Sequence, residues 1–207
     1  MTPDDYPAES ALLVNLCRRI GERGWCDATS GNFSLRVSEA HCLLTQSGRH
    51  KARLKNADLM LCTLDGRPVD PGHRPSAETP LHTSIYELDA DVGAVLHTHS
   101  VTTTVLSRAV GDSIELHGYE MQKAFSGVDT HESRVTVRVF ENEQDMPSLA
   151  DKVRGAWRAG QIAAPGFVIR GHGLYAWGRD GLEAERHLEA FEFLFACRWQ
   201  EILAGRK

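Results

Sequence analysis

The order of apolar and polar positions along the first half of the chain predicts one helix followed by short strands. Apolar side chains recur at helical spacing between Ala8 and Arg23, and Gly24 ends the pattern. Three strand-like segments follow, at residues 32–37, 42–45 and 60–64. The first two lie close enough to form a hairpin that turns near residues 38–40.

The second half continues with helices and strands in mixed order. Ser76 is placed to cap a helix, and Asp180 starts the last helix with Glu183 as its capping-box partner. The other predicted elements are a strand ending near His99, a helix at 101–109, a strand at 135–140, a helix at 146–159 and strands at 166–170 and 174–177. Strands mixed with flanking helices, without regular βαβ alternation, predict a three-layer α/β or α+β sandwich in a single domain, residues 1–207.

A short apolar run ends in two histidines, His97 and His99. Because side chains alternate between the faces of a strand, both imidazoles project from the same side. That placement suits two ligands of one metal ion, although a strand end with two surface histidines has the same pattern.

A third histidine, His172, lies between Gly171 and Gly173 just after a predicted strand. Glycine on both sides allows the backbone to approach a site closely. Alone, such a histidine is usually structural. Together with His97 and His99 it completes three imidazoles and leaves one coordination position open, as a catalytic zinc site does.

Two carboxylates are candidates for the proton transfers that an open metal site implies. Glu120 lies among apolar and aromatic neighbours that would raise its pKa on burial, but it could equally be an ordinary surface carboxylate. Glu78 lies in the first turn of a predicted helix, where a negative charge is favourable without any catalytic role. The pattern alone leaves both alternatives open.

Two glycine-bearing turns, residues 29–32 and 45–51, combine small hydroxyl residues with exposed backbone N–H groups. Such turns can hold a phosphate, and Lys51 or Arg49 could add positive charge. Neither turn matches a Walker loop, so each could also be only a turn.

Composition and charge exclude several classes of function. The formal net charge is −5 and no basic block is interleaved with aromatic residues, so we expect no nucleic-acid partner. No apolar run is long enough for a membrane span and no signal peptide is present, which predicts a soluble, cytoplasmic protein. Five scattered cysteines without a Cys-x-x-Cys pair predict reduced, mostly packed thiols.

Five short motifs occur in one order over nearly the whole chain: Thr29-Ser30-Gly31-Asn32, Ser47-Gly48, Ser76-Ala77-Glu78, His97-Thr98-His99 and His172-Gly173. In this combination the chain resembles the zinc-dependent class II aldolase family, which also contains sugar-phosphate epimerases and dehydratases. The resemblance implies a three-layer fold with a central, mostly antiparallel sheet and helices on both faces. It also implies a homotetramer with active sites at subunit contacts, one Zn²⁺ per subunit and a small sugar-phosphate substrate.

The resemblance also implies roles for particular residues. The implied zinc ligands are His97, His99 and His172, and the implied catalytic acid and base is Glu120. The residues implied around the substrate phosphate are Asn32, Ser47, Gly48 and Ser76. Aldolases of this family commonly have a second serine where this chain has Ala77, so the phosphate pocket differs from theirs.

Three segments, residues 47–51, 119–123 and 172–178, are most similar to the dehydratases of the family. The resemblance therefore implies that a ketose phosphate loses water at the metal. An aldolase or epimerase acting on another sugar phosphate is the alternative, and a non-catalytic scaffold like the adducin head is a third. Because aldolases use the glutamate aligned with Glu78, this residue is a second acid/base candidate, a resting-state metal ligand, a group supporting the ligands, or a helix-end charge.

The remaining histidines are assigned no role in the site. Those interpreted as surface or packing residues are His41, His73, His82, His131 and His187.

Overall fold

The computed structural model describes residues 1–206, so Lys207, the last residue of the predicted domain, lies outside it. Its strands are β1 (Asn32–Arg36), β2 (His41–Thr45), β3 (Leu59–Thr63), β4 (Ala94–Thr98), β5 (Ser113–Leu116), β6 (Val135–Phe140), β7 (Gly166–Ile169) and β8 (Gly173–Gly178). Its α-helices are α1 (Pro7–Glu22), α2 (Thr79–Leu88), α3 (Val101–Ala109), α4 (Met146–Arg158) and α5 (Gly181–Leu203).

The strands form one eight-stranded sheet in the order β3-β2-β1-β4-β8-β7-β6-β5. Neighbouring strands pair antiparallel except β6 and β7, which run parallel. At the centre, His97 of β4 lies opposite Asn32 on β1 and Tyr175 on β8. The expected mostly antiparallel sheet is therefore confirmed. Its central register places three residues that are far apart in the sequence side by side.

Helices cover both faces of the sheet. On one face α1, α3 and α5 bury side chains such as Leu16, Leu106 and Phe191 against the strands. On the other face α2 and α4 bury side chains such as Ile85 and Leu149. Each fully buried aliphatic or aromatic side chain contributes roughly 1.5–3 kcal/mol of transfer free energy, so two apolar layers hold the sheet between them. The predicted three-layer α/β sandwich with helices on both faces is confirmed.

Some element boundaries differ from the prediction. The helix expected to be capped by Ser76 begins at Thr79, with Glu78 at the N-cap position, because residues before it form a turn in which Ser76 Oγ accepts the Glu78 N–H at 3.2 Å. Asp180 does cap α5. Its expected capping-box partner Glu183 instead accepts a hydrogen bond from the backbone N–H of Arg179 at 2.7 Å.

All five cysteines carry free thiols; Cys17, Cys26, Cys42 and Cys62 are buried and Cys197 is half-buried. Among residues 1–206, no helix combines the length and the apolar character that crossing a membrane requires.

Candidate metal and substrate site

The end of β4 fixes the first histidine. His97 is fully buried, and its Nδ1 lies 2.9 Å from the carbonyl oxygen of Leu174 on β8. Since a carbonyl only accepts, Nδ1 carries the proton and the lone pair on Nε2 is left free. The imidazole also stacks on the Tyr175 ring at 4.0 Å between centroids. Tautomer and ring orientation are thus both set by the sheet, as is usual for metal-binding histidines.

The other two histidines turn toward the same point. His99 Nε2 lies 2.8 Å from His97 Nε2, and the His99 backbone N–H donates to the carbonyl of Trp25 at 2.8 Å. His172 lies in the turn between β7 and β8, with its ring centroid 4.6 Å from that of His99 and 5.1 Å from that of His97. The structure therefore brings together the three predicted ligands, whose role as ligands stays a prediction.

The glycines beside His172 are required by the backbone. Gly171 has φ of +63°, in the left-handed region. A Cβ on Gly173 would lie 2.0 Å from the carbonyl oxygen of Thr98 and 3.1 Å from Cε1 of His97. Glycine at 173 therefore allows the His172 turn to close over the end of β4.

Glu78 is the fourth member of the cluster. Its Oε1 lies 2.8 Å from His172 Nε2 and 3.3 Å from His97 Nε2, while its Oε2 accepts a hydrogen bond from Asn32 Nδ2 at 2.5 Å. One ligand atom from each of Glu78, His97, His99 and His172 lies within 4.8 Å of the others. Among the alternatives left open by the sequence, the structure places Glu78 beside the imidazoles rather than at an isolated helix end.

The donor set fits a divalent metal ion. Oε1 of Glu78 is buried without a hydrogen-bond donor. His172 Nδ1 donates to Asn142 Oδ1 at 3.3 Å, so the ring proton is on Nδ1. His172 Nε2 therefore directs a lone pair at Glu78 Oε1, which is itself only an acceptor. Unprotonated nitrogen and carboxylate oxygen atoms that converge on one point repel each other unless a cation lies between them. Three imidazoles and one carboxylate are ligands that zinc and related metals accept.

The protonation states also suit metal binding. Burial alone would raise the pKa of Glu78, but the adjacent imidazoles of His97 and His172 outweigh burial and hold that pKa well below its usual range. Burial, together with His97 and His172, lowers the pKa of His99 to about 3. At neutral pH the carboxylate is therefore ionised and His99 is neutral, as ligands must be.

A pocket of about 130 Å³ opens next to the cluster. The four residues predicted around the phosphate, Asn32, Ser47, Gly48 and Ser76, all line it, and so do Glu78 and His99. The structure thus brings the predicted phosphate residues and the predicted metal ligands into one site.

The wall of this pocket contains a buried cation. Lys51 is 1% exposed and lines the pocket, and its Nζ donates to the carbonyls of Thr29 at 3.0 Å and Arg49 at 2.8 Å. Burial lowers the pKa of Lys51. The Arg49 side chain points elsewhere and pairs with Asp58 at 3.3 Å. Of the two basic residues considered from the sequence, Lys51 is therefore the one at the pocket.

Glu120 is not brought to the cluster within one chain. It begins a 3-10 helix, Glu120–Ala124, and its side chain is 72% exposed. Its carboxylate pairs with Lys123 at 2.5 Å and with His131 at 3.6 Å. The hydrogen bond from Lys123 lowers its pKa. In the single chain Glu120 is exposed and lies beside Lys123, so the condition for a raised pKa, burial, is not met there, and its catalytic role stays a prediction.

Sequence reasoning missed a buried carboxylate that hydrogen-bonds to the end of β4, the strand that carries His97. Glu192 on α5 is 5% exposed and accepts hydrogen bonds from Ser100 Oγ at 2.6 Å and from Thr98 Oγ1 and Thr103 Oγ1 at 3.3 Å. Burial raises its pKa to about 7, against the opposing effect of these hydroxyls. The only sequence signal for this contact was the alternation of His, Thr, His and Ser at residues 97–100. It indicates that the two hydroxyls face the side of the strand opposite the imidazoles, where a buried partner would lie.

The segment that follows Glu120 is also tied to α5. The backbone N–H of Ser126 donates to His187 Nε2 at 3.2 Å, and its Oγ donates to Glu183 at 2.6 Å. His187 Nδ1 in turn donates to the carbonyl of Trp177 at 2.7 Å. His187 is 2% exposed, so it is a packing residue, as one of the two interpretations held, and it also joins two elements.

Comparison with known proteins decides the family. The family model of the class II aldolase and adducin N-terminal domain matches residues 11–199. The chain belongs to this family. The family predicted from the five motifs is therefore confirmed.

Individual members of the class II aldolase family agree with this assignment. A Marinobacter nauticus protein named methylthioribulose-1-phosphate dehydratase is 50% identical over 203 residues, which cover 97% of each chain. A Serratia proteamaculans protein of the same name is 50% identical, covering 94% of this chain and 96% of that one. The crystal structure of L-fuculose-1-phosphate aldolase from Thermus thermophilus superposes with a TM-score of 0.75 at 24% identity, covering 95% of this chain and 97% of that one. The last likeness concerns the fold alone.

Proposed function

We propose that the chain is a zinc-dependent methylthioribulose-1-phosphate dehydratase. The reaction converts 5-methylthioribulose 1-phosphate to 2,3-diketo-5-methylthiopentyl 1-phosphate and water, a step of methionine salvage. Relatives that carry this name share half of their residues with the chain over nearly their whole length. The structural observation that carries the proposal is the cluster of three histidines and Glu78 beside a pocket lined by Lys51.

The three histidines and Glu78 are the residues that hold the metal. One Zn²⁺ per subunit, held there, supplies a Lewis acid that polarises the ketone of the substrate and acidifies the neighbouring C3–H bond. The chain fixes the ligands in advance, since His97 donates to Leu174 and Glu78 accepts from Asn32. Such hydrogen bonds behind the ligands keep the donor atoms in place while substrate enters.

The pocket next to the metal centre takes the substrate phosphate. Lys51 contributes the positive charge, and two of its donors are already fixed on backbone carbonyls. Ser47 and Ser76 contribute hydroxyl groups, and the loop at Gly48, which has φ of +75°, turns its backbone toward the pocket. Asn32 joins this pocket to the metal centre, because its Nδ2 lies 2.5 Å from Glu78 and 3.3 Å from Ser76 Oγ.

The carboxylate of Glu120 carries the proton. It removes the proton from C3, and the electron pair of that bond moves toward C2. The same group, now protonated, returns the proton to the C4 hydroxyl, whose C–O bond breaks to release water. Tautomerisation of the remaining enol gives the diketone. No redox step is needed, since hydrogen and hydroxyl leave neighbouring carbons.

Because Glu120 is exposed in one chain, the proposal requires a subunit contact. We place the partner subunit's Glu120 at the metal centre of each chain, in a cytoplasmic homotetramer. An apolar groove next to Glu120 supports this placement. Its apolar lining includes Trp25, Met121 and Phe193, of which the last two are 40% and 50% exposed, and charged residues such as Arg23 and Glu189 line it as well.

One observation favours a second candidate function. Glu78 lies within the cluster, at the position of the acid/base of the family's aldolases, so cleavage of the C3–C4 bond is the alternative reaction. A non-catalytic scaffold like the adducin head has less support, because the chain keeps three convergent histidines and the carboxylate.

The proposal is tested by product analysis. Zinc-loaded protein is incubated with 5-methylthioribulose 1-phosphate, and mass spectrometry follows the loss of one water. A dehydrated diketone phosphate that no longer forms after chelation supports the dehydratase. Cleavage fragments would establish the aldolase, and unchanged substrate with metal bound would mean that another sugar phosphate is the substrate.

A further inference from the structure

A chain of buried polar side chains leads away from the metal centre between α2 and the sheet. Tyr86 Oη lies 2.8 Å from Ser34 Oγ, which lies 2.8 Å from His82 Nδ1. His82 Nε2 bonds to Asn32 Oδ1, and Asn32 Nδ2 lies 2.5 Å from Glu78 Oε2. The first four of these residues are at most 4% exposed. The proposed function assigns no role to His82, Ser34 or Tyr86.

Chemistry fixes the direction of every hydrogen bond in this chain. The Glu78 carboxylate only accepts, so the Asn32 amide nitrogen faces it and Oδ1 faces His82. Oδ1 also only accepts, so the proton of the neutral His82 imidazole is on Nε2. Burial lowers the pKa of His82 to about 3, so the imidazole is neutral. Its Nδ1 accordingly accepts from Ser34, and Ser34 accepts from Tyr86.

The position of Asn32 decides which oxygen of Glu78 can meet a metal ion. The hydrogen bond from Asn32 occupies Oε2, while Oε1 has no donor and lies nearest the imidazoles of His172 and His97. If the amide of Asn32 turned over, its oxygen would face the carboxylate and repel it. His82 prevents this rotation because its N–H requires an acceptor at Oδ1.

We propose that His82 is a positioning residue of the metal centre: by holding Asn32 Oδ1 it keeps the amide nitrogen on Glu78 Oε2 and leaves Oε1 as the single carboxylate oxygen directed at the metal. The inference rests on the metal site of the proposed function. His82 touches neither metal nor substrate, so its effect reaches the metal through Asn32 and Glu78.

The test is metal binding, measured on the purified full chain without substrate. The zinc dissociation constant comes from competition with a chromophoric chelator, and the ligand geometry comes from the visible absorption of the cobalt(II) form. His82→Phe fills the same space without the N–H. Because removal of groups behind metal ligands typically costs 10- to 100-fold in affinity, we expect a loss of about that size and an altered cobalt spectrum.

Two variants separate positioning from packing. His82→Gln carries an amide N–H at nearly the reach of imidazole Nε2, so we expect it to restore most of the zinc affinity and the cobalt spectrum. Ile85→Val removes one methylene from the same helix at a fully buried position that bonds to none of these groups. We expect it to leave both readouts unchanged, although it destabilises the core by about 1 kcal/mol.

The outcomes distinguish this inference from the metal site itself. If the wild-type chain binds metal and His82→Phe has the same affinity and spectrum, the inference is wrong and the metal site stands. If Ile85→Val shifts them as much as His82→Phe, packing explains the effect and the inference is again wrong. A wild-type chain that binds no metal overturns both. Should His82→Phe not fold, His82→Leu removes the same N–H with a smaller side chain, and an unchanged zinc affinity and cobalt spectrum in that variant contradict the inference.

Discussion

The two groups predicted to perform the chemistry differ in how the chain holds them. The histidine cluster is preorganised: His97 is fully buried and donates to the Leu174 carbonyl, and Glu78 accepts a hydrogen bond from Asn32. Glu120 is 72% exposed, and its carboxylate contacts only Lys123 and His131, both themselves at the surface. The comparison teaches that one chain by itself brings the predicted metal ligands together, whereas the acid/base role proposed for Glu120 requires a second subunit over its surface.

The largest expected effect comes from breaking the metal half. His97→Ala removes one imidazole and leaves a cavity in its place, so we expect zinc affinity to fall more than about 100-fold and turnover to disappear with it. Metal analysis of the dialysed protein and the dehydration assay measure both. His41→Ala, a histidine outside the cluster, is the matched control. Full zinc occupancy in His97→Ala would refute the ligand assignment.

The next effect concerns the acid/base half alone. Glu120→Gln keeps the shape but cannot carry a proton, so we expect unchanged zinc content and a turnover about 10²- to 10⁴-fold lower. Glu132→Gln, another exposed carboxylate on the same segment, is the control. Near-normal turnover in Glu120→Gln would move the acid/base role to Glu78.

Mixing these two inactive variants sharpens the comparison further. If Glu120 acts across a subunit contact, a tetramer assembled from His97→Ala and Glu120→Gln subunits contains some sites with both an intact cluster and an intact carboxylate. We therefore expect activity to return after the variants are unfolded and refolded together, but not after they are mixed as assembled proteins. Failure of co-refolded oligomers to regain activity contradicts the shared site.

A smaller effect is expected from the support behind the ligand strand. The pKa of Glu192 is raised from 4.5 to about 7 by burial, so between these values the folded chain holds a proton that the unfolded chain has lost. The stability that this group contributes is therefore fully present below pH 4.5 and declines as pH rises through 7, by on the order of 3 kcal/mol. Denaturant unfolding of the metal-free protein should show this decline, and Glu192→Gln should remove it. An identical pH dependence in both proteins would refute the buried-acid interpretation.

The smallest expected effect loosens only the Glu120 segment. Ser126→Ala removes a hydrogen bond to Glu183, worth about 1–2 kcal/mol, so the segment becomes more mobile. We expect turnover to fall several-fold while zinc affinity stays the same, with Asp129→Asn as the control. A change in zinc affinity instead would show that the two halves are coupled more tightly than their separate contacts imply.

Local patterns made much of the fold predictable. The helix at 101–109 and the strand at 135–140 occur at the predicted bounds, because each has a clear apolar period and polar ends. The strand β5 was missed. It has four residues with only Ile114 and Leu116 buried, and it pairs with β6 alone, so its signal is two apolar positions at an edge.

The sequence predicts those site residues whose type alone suggests a function. It does not predict the residues whose role depends on where the fold places them. The three histidines are recognisable in the sequence, because His97 and His99 end a strand pattern and His172 lies between two glycines. The place of Glu78 among them depends on how α2 packs against β1 and β4, which no local pattern contains. His82 and Glu192 look like ordinary helix residues, and their burial follows only from the assembled layers.

Helix α5 has a consequence for how the site opens. Glu192 in the middle of the helix holds Ser100, and His187 one turn and a half earlier holds Ser126. Separation of this helix from the sheet would release both hydrogen bonds in one event. In hydrogen exchange, the amides of Thr103 and Ser126 should then share one opening free energy, as members of a single cooperative unit, although they serve opposite halves of the site.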